Sequence, residues 1–136
     1  MGAYIANHAL TPDLILCSSA LRARETLDGL LPKLAPLVPE VVIEPALYLA
    51  TATGMMEIIH GVAASTRRLL LLAHNPGLHG LALDLTGSGL RRDIASMAVK
   101  FPTCALVVLS FETDNWRDVL PAAGRLDRFV VPRSLA

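Results

Sequence analysis

Two apolar runs in this chain each end at groups able to hold an anion. Leu14-Ile15-Leu16-Cys17 leads into Ser18-Ser19-Ala20-Leu21-Arg22, and Leu69-Leu70-Leu71-Leu72-Ala73 leads into His74-Asn75-Pro76-Gly77. A guanidinium grips two phosphate oxygens at once, and the hydroxyls of Ser18 and Ser19 add donors beside it. If Arg22 falls in the first turn of a helix, the free N–H groups and dipole there also favour an anion. In open α/β sheets ligands bind beyond the carboxyl ends of the strands, which is where Arg22 and His74 fall. Two cationic groups converging on one point suit a transferring phosphoryl group. Singly, each has a plainer reading: Arg22 solvates a helix face, Ser19 caps that helix, and His74 satisfies itself on backbone. The pair favours the site.

Two βα units must position these residues. Leu14 to Ser18 is a continuous apolar run of strand length, as expected of a strand covered on both faces. After it, Leu21, Thr26, Leu27, Leu30, Leu31 and Leu34 approximate a helical period until the prolines at 32, 36 and 39 close it down. Leu69 to Ala73 predicts a second buried strand. Asn75-Pro76-Gly77 breaks it, and helical spacing runs from Leu78 to Leu85 before Thr86-Gly87-Ser88-Gly89 stops it.

The remaining elements frame this pair. Ala3 to Ala9 reads as the end of a helix whose beginning is missing, with no capping residue before it. Val41-Val42-Ile43 predicts a short strand, Leu47-Tyr48-Leu49 an apolar staple, and Thr53 the cap of a helix from Gly54 to about Ala63. Strands are expected at 103–111, 116–120 and 126–130, joined by turns at Thr113-Asp114-Asn115 and Ala123-Gly124 in a closing meander. Strand and helix alternate, so the fold class is α/β with a mostly parallel sheet.

At 136 residues, 53% of them apolar, the chain suits a single domain over 1–136. Twelve basic and twelve acidic residues cancel without any run of one sign, so no basic face recruits nucleic acid. Any binding charge is local. No apolar stretch is long enough to span a membrane, and no secretory or myristoylation signal opens the chain, so a cytoplasmic location is expected. Cys17 and Cys104 lie in apolar runs and read as buried packing thiols. A cysteine-phosphatase loop would need five residues between thiol and arginine, but Cys17 and Arg22 have four between them, and Ala23 stands where the arginine should be. No two histidines or cysteines have metal-ligand spacing, so neither a metal nor an organic cofactor is expected.

Ser18-Ser19-Ala20-Leu21-Arg22-Ala23-Arg24-Glu25-Thr26 resembles the Ser-Pro-x-x-Arg-Ala-x-Gln-Thr segment of the histidine phosphatase superfamily. Ala73-His74-Asn75-Pro76-Gly77 is similar to the Gly-His-Asn-Pro-Gly of its SixA-type phosphohistidine phosphatase branch. Glu44, Leu47-Tyr48, Lys100 to Ala105, Trp116 and Pro132-Arg133 also resemble that branch. The resemblance implies a three-layer α/β/α, phosphoglycerate mutase-like fold. It further implies hydrolysis of phosphate from a histidine of a signalling or carrier protein, or from a small phosphorylated substrate, with no cofactor. Arg22 would be the second phosphate-binding arginine and His74 the second pocket histidine, with Ser18 and Ser19 beside them. Glu44 and Glu57 are the candidate proton donors, each equally readable as a surface carboxylate. Ser19 for proline, Glu25 for glutamine and Ala73 for glycine are the departures.

In that family the nucleophile is a histidine in an Arg-His-Gly or Arg-His-Ala motif ending the first, central strand. Here the four histidines follow Asn7, Ile59, Ala73 and Leu78, and none follows an arginine. The expectation is therefore a fold N-terminally truncated by that strand, inactive as written, with a slot between the strands that would flank it. A fragment or late start, a slot filled by another chain, and a pseudoenzyme that binds phosphate without turnover all remain open. So does a structural role in which Arg22 is dispensable.

Overall fold

The computed structural model describes residues 1–135. Strand β1 (Leu14–Cys17) lies at the centre of a three-stranded sheet, between β2 (Glu40–Ile43) and β3 (Leu69–Leu72). Both ladders are parallel, with Leu14 opposite Glu40 and Leu69, and Cys17 opposite Ile43 and Leu72. Ile15, Leu16 and Cys17 are buried, which is why this strand reads as an unbroken apolar run: neither face meets water. A second sheet orders β4 (Thr86–Gly89), β6 (Gly124–Val130) and β5 (Leu106–Ser110), parallel between β4 and β6 and antiparallel between β5 and β6.

Strand alternation shows how the two sheets relate, because successive side chains point to opposite faces. Leu70 and Leu72 of β3 share one apolar cluster with Leu106 and Val108 of β5, under helices α1 (Gly2–Asn7) and α2 (Leu21–Leu34). Leu69 and Leu71 share the other with Leu109 and Phe111, against α3 (Ala52–His60) and α4 (Gly77–Leu85). The sheets are two halves of one layer with helices on both sides, the expected three-layer α/β/α arrangement. Among the described residues no ladder joins β3 to β5. The four leucines of β3 accordingly stay only half-buried.

Several local expectations are corrected. Thr51, not Thr53, caps α3 by accepting the Gly54 N–H at 3.1 Å, and the helix ends at His60. Pro32 lies inside α2, near enough to its C-terminus that the lost hydrogen bond is tolerated. Leu21, placed on the buried face by period alone, is 71% exposed, whereas Ala23, Leu27, Leu30 and Leu34 are buried. Of the expected staple only Leu47 is buried; Tyr48 and Leu49 face solvent.

The second half departs further. Thr86 to Gly89, read as a stop, is β4: a Cβ on Gly87 would collide with the Ala122 carbonyl, so the glycines admit close backbone approach. A helix α5 (Arg91–Val99) was not anticipated; Ile94 and Met97 are the residues it packs, too few for a clear period. Trp116–Asp118 is a short 3-10 turn rather than a strand, fixed by the indole N–H donating to the Thr66 carbonyl at 2.7 Å. The closing meander thus reduces to the β5/β6 pair. Cys104 is exposed, with φ at 61°, in the loop before β5, so only Cys17 is a buried thiol.

Burial pushes the Cys17 thiol above its ordinary range; Arg24 opposes the shift and Asp28 adds to it. Cys17 is therefore a protonated packing residue at neutral pH. Alkylation of the folded protein at neutral pH is expected to modify Cys104 and spare Cys17. Peptide mass mapping that found Cys17 labelled first would refute this.

Candidate functional site

The site is assembled where β1 and β3 end. Ser18 directly follows β1, and its N–H donates to the Leu72 carbonyl at 2.8 Å, carrying the ladder one residue beyond the strands. Its side chain is fully buried. The hydroxyl oxygen accepts the Ala20 N–H at 3.2 Å and shares a 2.8 Å hydrogen bond with His74 Nε2. The two sequence stretches thus meet through a named contact. The His74 ring is half-buried, with the Tyr48 ring edge-on to it at 6.0 Å and 72°.

Arg22 sits in the first turn of α2, exposed. Among the described residues the one ion pair is Arg125 with Asp127, so the Arg22 guanidinium has no carboxylate partner. The Ala20 cap offers no side-chain acceptor to the first turn, whose N–H groups and positive dipole end stay available to an anion. Ser19 therefore does not cap the helix; it is half-buried beside Ser18. Glu25 is exposed on α2.

The two carboxylates differ. Glu44 lies just past β2, where its N–H donates to the Cys17 carbonyl at 2.8 Å, next to Ser18. Its own carboxylate accepts the Ala46 N–H at 3.1 Å and caps the 3-10 turn Pro45–Leu47. Glu57 is exposed midway along α3, and among the described residues it has no hydrogen bond to Ser18 or His74.

The other histidines are engaged elsewhere. His8 stacks on Tyr4, His60 meets the Val119 carbonyl at 2.8 Å, and His79 meets the Met97 carbonyl at 2.7 Å while stacking on Phe101. His74 is the histidine of the site. Among the described residues no group of three or more potential metal ligands occurs, and no helix is long and apolar enough to cross a membrane.

The segment after His74 is held on both sides. Asn75 donates its amide to the Phe101 carbonyl at 3.0 Å and accepts the His79 N–H at 3.2 Å. Gly77 packs so closely that a Cβ would collide with the Ala50 carbonyl and stand 2.8 Å from Met55 Cε. Gly77→Ala is therefore expected to cost about 1–3 kcal/mol of stability, the usual range for overpacking, and to move His74; chemical denaturation reads the first and the His74 ring NMR signals the second. An unchanged midpoint would count against this packing role.

A cavity of about 260 Å³ opens beside His74, between residues 49–52 and 74–77. Its walls were not anticipated from sequence. Of their residues, His74-Asn75-Pro76-Gly77 carried a signal as part of the family-like motif and Leu49 as part of the expected staple, whereas Ala50, Thr51 and Ala52 carried none.

No family model matches the chain. Mycobacterial proteins of uncharacterized function do. ML1117 of Mycobacterium leprae is 30% identical over 133 residues, covering 97% of this chain and 79% of that protein. Rv1276c of Mycobacterium tuberculosis is 33% identical over 134 residues, covering 97% and 81%. Among solved structures, a candidate phosphohistidine phosphatase SixA from Nakamurella multipartitia superposes with a TM-score of 0.81 at 22% identity, over 96% of this chain and 77% of that one. The protein histidine phosphatase SixA complexed with tungstate gives 0.72 at 17% identity, over 99% and 78%. The fold is that of SixA.

Proposed function

We propose, for a chain that belongs to the family of ML1117 and Rv1276c and has the SixA fold, that it grips the phosphoryl group of a phosphohistidine for hydrolysis. Arg22, His74 and the first-turn N–H groups of α2 supply the grip, and buried Ser18 holds His74 in place. The observation that carries this reading is the 2.8 Å Ser18–His74 hydrogen bond at the ends of β1 and β3, with Arg22 in the first turn of the helix that follows β1 and without a carboxylate partner among the described residues. Arg22 binds two phosphoryl oxygens as a fork, and His74, held through Nε2 by Ser18, donates from its other ring nitrogen to an oxygen on which charge builds as the bond to phosphorus breaks.

Hydrolysis by this superfamily's route needs a second imidazole to attack phosphorus, form a transient phosphohistidine and pass the group to water. Among the described residues His74 is the sole histidine at the site, and its Nε2 is held by Ser18. Residues 1–136 on their own are therefore proposed to bind phosphate without turning it over, activity requiring an attacking histidine seated beside β3. Glu44, one residue past β2 and bonded to the Cys17 carbonyl, is the better placed proton donor of the two carboxylates. A phosphoramidate needs little such help, because its nitrogen is readily protonated.

The same lone histidine favours a second reading, an anion-binding protein that never turns its ligand over. Calorimetric titration with tungstate tests what the two share: saturable binding of one ion is expected, and no binding would overturn both. Turnover once an attacking histidine is supplied separates them.

A further inference from the structure

A serine hydroxyl has one proton to give and lone pairs with which to accept. The Ser18 side chain is fully buried, and its oxygen makes two hydrogen bonds, one with the Ala20 N–H at 3.2 Å and one with His74 Nε2 at 2.8 Å. The Ala20 N–H can only donate, so the hydroxyl accepts there. Its own proton then has one acceptor in reach, the lone pair of His74 Nε2. The reverse arrangement, with Nε2–H donating to the oxygen, would bring two donors onto Ser18 and leave its proton buried without a partner. An unpaired buried donor weighs against that arrangement by at least about tenfold.

The other ring nitrogen is placed differently. Nδ1 has no hydrogen-bond partner among the described residues, and the ring is only half-buried. Every fully buried side-chain nitrogen or oxygen among those residues is partnered, so the unpartnered Nδ1 reaches solvent. Both backbones are pinned around this contact. The Ser18 N–H donates to the Leu72 carbonyl at 2.8 Å, and the His74 carbonyl accepts the Leu78 N–H at 2.9 Å. Neither residue can easily turn away from the other.

From this proton count we infer that Ser18 is a positioning residue whose hydroxyl fixes the uncharged His74 ring as its Nδ1–H tautomer, so that the open nitrogen presents a donor rather than a lone pair. The nitrogen that carries the proton in a histidine is set by the bond the other nitrogen makes. In the opposite tautomer a lone pair would face an incoming anion and repel it. The role given to that donor rests on the phosphoryl grip proposed above and deepens it, whereas the tautomer stands on the hydrogen bonds alone. The same hydroxyl takes up the Ala20 N–H, which precedes α2, and so leaves the N–H groups of Leu21, Arg22 and Ala23 to the anion.

Proton–nitrogen NMR correlation of the histidine rings, at mildly alkaline pH where an ordinary imidazole is uncharged, reads the tautomer directly. In residues 1–136 the His74 proton is expected on Nδ1, and it is expected to stay there in Arg22→Ala, which removes the neighbouring charge but not the hydroxyl. In Ser18→Ala the Nε2–H form is expected to gain at least about tenfold over Nδ1–H, and tungstate affinity to fall by about tenfold. Ser18→Thr keeps the hydroxyl and is expected to restore the Nδ1–H form. A proton on Nε2 in the parent would overturn the assignment, whether or not the Ser18 variants fold. An Nδ1–H form that survives Ser18→Ala, or is lost in Arg22→Ala, would overturn Ser18 as its cause. Unchanged tungstate affinity once the tautomer has shifted would overturn Nδ1–H as the donor to the anion. An Nδ1–H form in a parent that binds no tungstate would support the tautomer and overturn the phosphoryl grip.

Discussion

Arg22→Ala is expected to weaken tungstate binding by roughly tenfold to a hundredfold, the loss of hydrogen bonds to a charged group being about 1.5–3 kcal/mol. The effect is readable because Arg22 is exposed and has no carboxylate partner among the described residues, so its removal breaks no ion pair and opens no cavity. The variant should melt where the parent does. Arg22→Lys is expected to recover part of the loss: it restores the charge but not the planar fork that meets two oxygens at once. Equal affinity in the parent and Arg22→Ala would mean that the anion does not lie at the start of α2.

The largest change is expected in turnover. Residues 1–136 alone should leave a phosphohistidine substrate at its background rate. A version supplied with a strand ending in Arg-His should hydrolyse it faster by at least about ten-thousandfold, since removing a nucleophile from a working site costs losses of that order or more. His74→Ala in the active version should then lower kcat by about a hundredfold to a thousandfold, the usual loss of one donor to developing negative charge. β3 is where such a strand would seat, because its edge away from β1 carries no ladder among the described residues and its four leucines remain half-buried. Turnover by the unextended chain, abolished by His74→Ala, would show that His74 itself attacks phosphorus.

The sequence was most legible where burial was two-sided. β1 is an unbroken apolar run because both faces are buried, β3 is one although its leucines are half-buried between helices on either side, and the helices after them begin within two residues or so of the expected positions. That sufficed to place Arg22 and His74 at neighbouring strand ends. Period alone could not tell that Leu21 points outward at the helix start while Ala23 points inward. The second half was harder, because its elements carry weak patterns: β4 is built from threonine, serine and two glycines, and α5 packs little besides Ile94 and Met97. Trp116 has strand propensity, but its indole hydrogen bond to Thr66 fixes a turn, a tertiary choice invisible in a local window.

The candidate site was legible as residue types and illegible as contacts. The resemblance supplied Ser18, Ser19, Arg22 and His74, yet nothing in the spacing foretold that Ser18 would be fully buried and hydrogen-bonded to His74. The backbone of Glu44 is brought to the end of β1, whereas Glu57, equal to it on paper, lies exposed along α3. The cavity wall at 49–52 has no sequence pattern of its own because its residues are small or outward-facing. Only the fold shows that they face Pro76 and Gly77.

The most direct measurement is an NMR titration of residues 1–136 with tungstate, following the backbone amides of 18–24 and the His74 ring. A phosphoryl grip at the ends of β1 and β3 requires saturable shifts concentrated at Ser18, Arg22 and His74, and much weaker binding in Arg22→Ala. Absence of saturable shifts there, or shifts centred on another part of the surface, would contradict it.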